Sequence, residues 1–455
     1  MVAMISKETV RARGSSAFVN AFARNHEETP RTHAKVSDFP VMAQARSSGP
    51  GPLCLGGCKM RHTDIAIVGG GLAGSTTAAM LGRAGYDSVL IDPHAVYPKD
   101  FRCEKLDASQ VQLLRKTGLA EAVHAAATVD LEVWIARFGR VVEKKPSRQY
   151  DILYDAMVNT MRAEIPRRVN FIHGKAASIS TGKDQQQVSL SNGTEISARL
   201  IVLANGLNIG LRHSLGIERA VISACHSISV GFDLKPVARP SFDFRALTYY
   251  SEREVDQAAY ITLFPIATTM RANLFVYREM DDPWLRRMRH HGQEALFELM
   301  PGLRQLIGEV EVCEVKIRPV DLYVSSGHRQ AGIVLLGDAF ATSCPAAGTG
   351  CNKVFTDVER LCNVHVPHWL ATSGMGRDKI AQFYDDEVKL ACDRYSAEKA
   401  FYLRSLSTEA ALSWRARRWG KYVAHLGKGA VREMTERFST RFLDRQTTAS
   451  RSAAG

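Results

Sequence analysis

From Thr63 onward the chain changes from unpatterned to patterned sequence. Ile65, Ala66, Ile67 and Val68 form a short apolar run, three glycines follow, and an alanine-rich stretch extends from Ala73 to Ala84. A short apolar run bounded by glycine predicts a buried strand, and the longer segment beyond the turn predicts a helix. A second run, Ser88 to Ile91, follows Gly85 and is expected to return as a parallel strand. Further helices are expected near Ala108 to Lys116 and near Ile152 to Arg162. Between Val169 and Leu203 the pattern gives several strands, with Asn192-Gly193 as a hairpin turn. Residues 220–326 are rich in alternating and β-branched positions, as in His226 to Phe232, Tyr260 to Phe264 and Asn273 to Tyr277. They predict a second, sheet-containing domain. The apolar run Gly332 to Leu336 then leads into a glycine-containing loop and helices that continue almost to the end.

The segment Val68-Gly69-Gly70-Gly71-Leu72-Ala73-Gly74 fits G-x-G-x-x-G through Gly69, Gly71 and Gly74, between the first strand and the first helix. The first glycine permits the tight turn, the second lets backbone approach a pyrophosphate, and the third allows close helix–strand packing. Beyond them the helix N-terminus, at Leu72 and Ala73, offers unpaired N–H groups and partial positive charge to phosphates. Asp92 closes the second strand about twenty residues on, where a carboxylate accepts hydrogen bonds from ribose hydroxyls. Together these features predict an α/β fold: a Rossmann-type dinucleotide-binding domain with a parallel sheet, a smaller mixed-sheet substrate domain and a helical C-terminus. Its parts are residues 60–219 and 327–395 for the nucleotide domain, 220–326 for the substrate domain and 396–455 for the C-terminal segment.

Far downstream stand Gly337-Asp338-Ala339-Phe340, then Pro345, Gly348-Thr349-Gly350 and Asn352. This series resembles the G-D-A…P…G-x-G motif of FAD-dependent monooxygenases of the para-hydroxybenzoate hydroxylase class, which include ubiquinone-biosynthesis hydroxylases. The resemblance implies that Asp338 contacts the ribityl chain of FAD and that Pro345, Gly348 and Gly350 lie against its isoalloxazine ring. A carboxylate suits polyol hydroxyls, and glycines let backbone amides approach a ring. The resemblance also implies that Arg102 reaches the phosphate or ribityl region. A third family element, an aspartate–glycine pair followed by an arginine, matches Leu203-Ala204-Asn205-Gly206 and Leu211-Arg212, but Asn205 replaces the aspartate. That departure puts direct reduction by NAD(P)H in question and leaves a separate reductase open.

What the family resemblance implies is a monooxygenase that hydroxylates an aromatic or other small organic substrate with O2 through a flavin C4a-hydroperoxide, with NAD(P)H as electron donor. The cofactor carries the hard chemistry while protein orients substrate and excludes water, so no catalytic side chain is assigned. His226, Tyr260 and Arg271 lie in the substrate domain and are expected to have structural partners. Three other readings stay open: a flavin reductase of isoprenoid double bonds, a flavin halogenase, and a noncatalytic, membrane-associated flavoprotein. Against the halogenase, W-x-W-x-I-P is absent and Trp134 stands alone.

Composition adds limits. The net charge of +12 favours anionic partners, but no nucleic-acid reader motif accompanies it and much of it lies in the terminal segments, so nucleic acid is not expected. No apolar run approaches the roughly 20 residues needed to cross a bilayer, and no secretory signal pattern opens the chain, so the cytoplasm is the expected address. Trp414, Arg415, Arg417, Arg418, Trp419, Lys421, Tyr422 and Val423 interleave aromatic and basic character as interfacial helices do. The competing reading is a solvated basic helix that packs its aromatics on the core. The nine scattered cysteines read as reduced thiols, Cys54 and Cys58 lack partners for a metal site, and no metal is expected. Cys344 and Cys351, which flank the glycine loop, read as packing residues rather than flavin attachment points. Residues 1–59 include Ser47-Ser48-Gly49-Pro50-Gly51-Pro52 without periodicity and are expected to be disordered. One hypothesis starts the functional protein at Met60, and the competing one makes the arm a transit segment, against which Glu27, Glu28 and Asp38 count.

Overall fold

The computed structural model describes residues 61–452, so the expectations for the N-terminal arm, Met60, Cys54 and Cys58 lie outside the described residues. Among the described residues the strands form two sheets. In the first, β1 (Arg61–Val68) is followed by helix α1 (Leu72–Arg83) and β2 (Ser88–Asp92), and β1 pairs in parallel with β2 from Ile65↔Ser88 to Val68↔Ile91. Ile65 to Val68 and all of β2 are buried, as expected for parallel strands covered on both faces.

The second sheet takes its first strands from the segment after β2. These are β3 (Lys105–Leu106), β4 (Thr128–Arg137) and β5 (Arg140–Asp151), with helix α2 (Ala108–Lys116) between β3 and β4. The chain then crosses through α3 (Tyr154–Ala163) back to the first sheet as β6 (Asn170–His173), β7 (Ala176–Ser180), β8 (Gln186–Leu190) and β9 (Glu195–Leu203). β6 extends the parallel sheet beyond β2, and β9 lies on the other side of β1, with Val68 opposite Leu203. Asn192-Gly193 turns β8 into β9, with Gly193 at φ +83°. The helix expected at Ile152 to Arg162 begins two residues later, at Tyr154, and the one expected at Ala108 to Lys116 has those limits.

The remaining strands of the second sheet are β10 (Glu218–Pro236), β11 (Ala246–Tyr250), β12 (Ala258–Ile266), β13 (Thr269–Val276) and β14 (Val310–Ser326). The order across this sheet is β14-β10-β13-β12-β11-β4-β5-β3, so a boundary at 219/220 does not separate the two sheets. The reason is tertiary: β11 recruits β4 in parallel, from Ala246↔Val133 to Tyr249↔Ala136. Three short helices, α4 (Pro283–His290), α5 (Gly292–Leu299) and α6 (Leu303–Ile307), interrupt the expected run of strands. They bury Trp284, Leu296 and Leu303 against Ile228, Val230, Phe232 and Leu274, one face of the sheet. The opposite face carries Ser227, Ser229, Gly231, Tyr260, Thr262, Arg271, Asn273 and Phe275, in rows fixed by Ser229↔Phe275↔Tyr260 and Gly231↔Asn273↔Thr262.

The chain returns to the first sheet through β15 (Ile333–Leu335), parallel to β9. It finishes in α7 (Gly350–Arg360), α8 (Glu387–Thr408) and α9 (Leu412–Ser452). The expected boundary at 395/396 falls inside α8, whose buried Lys389, Asp393 and Ser396 tie it to α7 and the preceding loop. No described helix is long and apolar enough to cross a membrane.

Candidate functional site

Gly69 stands at φ +104°, where a side chain is strained, and a Cβ there would meet the Ala204 carbonyl. A Cβ on Gly74 would overlap the Gly69 carbonyl oxygen, which is the close helix–strand contact the third glycine was expected to serve. Gly71 forms the N-cap of α1 without a side-chain cap, and Leu72 and Ala73 follow in its first turn. The α1 N-terminus therefore keeps donors free of side-chain capping, with the positive end of the helix dipole behind them. Asp92 is buried at the end of β2, and its Oδ2 accepts from the Gly70 N–H at 2.6 Å.

Arg162, at the end of α3, was not singled out from sequence. Its Nη2 lies 3.2 Å from Asp92 Oδ1, and its Nε and Nη2 donate to the Gly70 carbonyl at 2.9 and 2.6 Å. It follows an apolar helical face and resembles a surface arginine until the fold carries α3 across the nucleotide turn.

The downstream motif meets this region. Gly337, Asp338 and Ala339 form a single helical turn after β15, and a Cβ on Gly337 would lie 3.7 Å from Ala73 Cβ in α1. Arg102 Nη1 donates to Asp338 Oδ2 at 2.6 Å across 236 residues of sequence. Arg102 Nε donates to Asp100 at 2.6 Å, and Arg318 from β14 donates to the other oxygen of Asp100 at 2.8 Å. The resulting chain runs Arg318, Asp100, Arg102, Asp338. Burial works against the Arg102 charge, but Asp338, Tyr154 and Asp100 outweigh it and push its pKa up. Burial likewise raises Asp100, and the two arginines overcome this and hold its carboxyl below the usual range. Arg318 gave no sequence signal, since it sits in an alternating polar strand.

The third element converges here too. Arg212 is buried, and its Nη1 donates to the Ala339 carbonyl at 2.7 Å, steadying the Asp338 turn. Asn205 donates to the Asn208 carbonyl at 3.1 Å beside Gly69.

Pro345 opens a short turn, and Gly348 follows at φ +63° with open space where a Cβ would stand. Gly350 begins α7, also beside open space, and Thr349 provides no side-chain cap. Gln110 of α2 donates to the Gly348 carbonyl at 2.8 Å, and Tyr260 of β12 donates to the Ala346 carbonyl at 2.6 Å. The loop is thus pinned between α2 and β12. The three polar residues considered for the substrate domain all have structural partners. Tyr260 holds the loop, Arg271 pairs with Glu104 at 2.9 Å, and His226 packs edge-on against Phe401. Cys344 is buried against Ser227 at 3.4 Å.

Two helix N-termini without side-chain caps, glycines where a Cβ would intrude, and an arginine–carboxylate pair between them are groups that suit a long dinucleotide with a polyol arm. A family model described as an FAD binding domain matches residues 62–387. The chain belongs to this FAD-binding family. Among curated proteins, this flavoprotein is similar to 3-demethoxyubiquinol 3-hydroxylase of Escherichia coli (strain K12), 26% identical over 326 residues that cover 67% of this chain and 80% of the relative. It is also similar to squalene epoxidase erg1 of Aspergillus fumigatus, 22% identical over 343 residues, 70% of this chain and 69% of the relative. Among solved structures, p-nitrophenol 4-monooxygenase from Pseudomonas putida DLL-E4 shares the fold with a TM-score of 0.64 at 17% identity, covering 84% of this chain and 98% of that one. The protein is an FAD-dependent oxidoreductase.

Proposed function

We propose that this flavoprotein is a monooxygenase that transfers one oxygen atom of O2 to an aromatic or other small organic substrate, with NAD(P)H as electron donor. The observation that carries the reading is the Arg102–Asp338 pair, which joins the two glycine motifs at the start of α1. Support comes from relatives whose names are those of a hydroxylase and an epoxidase.

In this reading Gly69, Gly71, Leu72, Ala73 and Gly74 hold the pyrophosphate on the α1 N-terminus, and Asp92, steadied by Arg162, faces the adenosine ribose. Asp338 and Arg102 hold the ribityl arm, and Pro345, Gly348 and Gly350 support the ring with backbone amides. When bound, FAD supplies the oxygen activation and electron storage that no side chain provides. The chain's own groups bind, orient and exclude water. The substrate lies against the face formed by Ser229, Asn273, Thr262 and Phe275, which looks toward the loop that Tyr260 anchors. Ser229 Oγ is buried without a hydrogen-bond partner, so it is a donor available to a substrate oxygen.

Two finer points belong to the same reading. Electrons come directly from NAD(P)H or through a separate reductase, the latter favoured by Asn205 in place of an acidic residue. The second point is peripheral membrane contact through α9. Trp419 stacks on Phe138 in the β4–β5 turn, and His425 bonds Glu143 of β5 at 2.7 Å, so one side of α9 docks on the β4–β5 hairpin. Leu412, Val423, Leu426 and Met434 remain exposed, with Arg417, Lys421 and Lys428 nearby to meet an anionic bilayer.

The experiment is purification, an absorbance spectrum, and NAD(P)H and O2 consumption with phenolic, quinone-precursor and isoprenoid panels. Substrate-stimulated consumption of O2 with an oxygenated product is expected. Anaerobic reduction of an isoprenoid double bond would replace the reading with a reductase. Activity that appears only after a reductase is added selects the two-component form. Sedimentation with anionic liposomes is expected to fall in the Val423→Ser, Leu426→Ser double variant, and unchanged sedimentation removes the membrane contact.

A further inference from the structure

Behind the two downstream turns of the candidate flavin site, α8 buries a polar row. Lys389, Asp393 and Ser396 stand at i, i+4 and i+7, so they share one face of the helix, and all three are buried. At one end of the row Lys389 Nζ donates to Asp357 Oδ1 at 2.9 Å, and Asp357 Oδ2 accepts from the Gly337 N–H at 3.4 Å, in the turn that carries Asp338. In the middle, Asp393 pairs with Lys353 of α7 at 3.0 Å and with Lys389 at 2.9 Å. At the other end Ser396 Oγ lies 2.6 Å from Thr349 Oγ1, and Thr349 stands between Gly348 and Gly350.

The placement of this row is fixed from outside it. Asp386 caps α8 by accepting from the Val388 and Lys389 N–H groups, and Arg360 at the end of α7 donates to the same carboxylate at 2.9 Å. One helix therefore fastens both turns, the Asp338 turn through Asp357 and the glycine loop through Thr349. Thr349 and Ser396 are both buried, and a buried hydroxyl needs a partner at hydrogen-bond distance, so the pair admits one spacing where an apolar contact would admit several. The Gly69–Gly74 turn is held separately, with the Gly70 N–H on Asp92 at 2.6 Å.

We propose that Ser396 is a positioning residue for the flavin ring, acting through Thr349 to hold the glycine loop at a fixed distance from the Asp338 turn. The proposal rests on the reading above in which Gly348 and Gly350 support the ring. Ser396 does not touch the ring in this scheme. It sets where the loop's backbone stands, and the ADP half of the cofactor, on the α1 turn, is outside its reach.

The test compares FAD with ADP in titrations of the full chain after its flavin has been released. In Ser396→Ala the dissociation constant for FAD is expected to rise roughly 3- to 10-fold, the weight of one neutral hydrogen bond, while that for ADP keeps its wild-type value. The visible absorbance and circular dichroism of bound FAD are expected to shift, since both report the surroundings of the ring. Thr349→Val should reproduce these changes, and Thr349→Ser, which keeps the hydroxyl, should restore wild-type behaviour. Equal losses of FAD and ADP affinity would give Ser396 a purely structural role and overturn the proposal, as would wild-type FAD affinity and spectra in Ser396→Ala. Gly350→Val tells this failure from failure of the underlying reading, because its side chain would enter the open space beside the start of α7. A spectral change in Gly350→Val with none in Ser396→Ala removes the positioning role alone, whereas unchanged spectra in both remove the ring from the loop as well. Ser396→Ala and Thr349→Val break the same contact from opposite sides, so whichever of them folds decides.

Discussion

Two buried clusters of lysine and carboxylate, one behind each sheet's contribution to the site, settle their charge in opposite ways. Behind the Asp338 turn, Lys353 and Lys389 face Asp357 and Asp393, with contacts of 2.9 to 3.0 Å. All four side chains are almost fully buried, and two cations balance two anions. Burial disfavours the Lys389 charge, but the two carboxylates overcome it and raise its pKa; Asp393 is lowered by the lysines despite burial, while at Asp357 burial prevails over the lysines and raises the carboxyl. At the β3–β5 edge of the other sheet, Asp130 and Asp151 share a single lysine, Lys105, while Arg245 reaches only Asp130, at 3.2 Å from a mostly exposed position. Burial, followed by the hydrogen bond to Asp130, raises Asp151 to about 9, and burial lowers Lys105. Asp130 Oδ2 and both Asp151 oxygens have no donor unless a proton lies between them. Burial is common to both clusters. What differs is charge balance: two lysines hold Asp393 low, whereas Asp130 beside Asp151 adds to the effect of burial.

Breaking the balanced cluster should have the largest effect. Lys389→Met leaves two buried carboxylates with one lysine, and urea unfolding should show a loss of about 3–5 kcal/mol. Because Asp357 Oδ2 accepts from the Gly337 N–H at 3.4 Å, the variant should also purify with less flavin.

A smaller change at the same turn separates binding from folding. Asp338→Ala should weaken FAD by roughly 10- to 100-fold in fluorescence titration through the loss of a charge-assisted hydrogen bond. The apoprotein's melting midpoint should change little, since Arg102 keeps Asp100 as a partner. Normal flavin affinity in this variant would remove Asp338 from the binding site.

Acid probes the same region through His328, which packs edge-on against Phe340 and Tyr384 and whose pKa burial lowers to about 3. The native state holds it neutral while the unfolded chain takes up a proton near pH 6.5, so stability present above that value is lost as pH falls toward 3. Between pH 7 and pH 5 the loss should be about 1–2 kcal/mol, and His328→Gln should remove that part of the slope.

In the unbalanced cluster the sign reverses. Asp151 keeps its proton in the native state to about pH 9, whereas the unfolded chain loses it near pH 4, so stability falls as pH rises through that window. Asp151→Asn keeps a donor without the titration. It should be stabilising by at least about 1 kcal/mol more at pH 8 than at pH 5. Equal effects at the two pH values would show that Asp130 and Asp151 share no proton.

The seven-stranded sheet was legible in the sequence because its signals are local. The run Ile65 to Val68, the glycine turn and Asp92 lie within one strand–helix–strand unit, and each glycine answers a steric demand of its neighbours. The second sheet was only partly legible. β4 and β5 carry Glu132, Arg140, Lys144, Lys145 and Arg148, a pattern of solvent-facing strands, and nothing local says that β11 will pair with β4. The α4–α6 helices are short, and their packing on β10 and β13 outweighs the strand-like composition around them.

The sequence alone determined the dinucleotide turn, the parallel strands beside it and the residue types of the downstream motif, because short-range sterics and hydrophobic spacing act within a few residues. Only the tertiary structure brought Arg102 to Asp338 and Arg162 to Asp92. Those pairings join separate elements, and their geometry depends on how the two sheets pack rather than on any spacing along the chain.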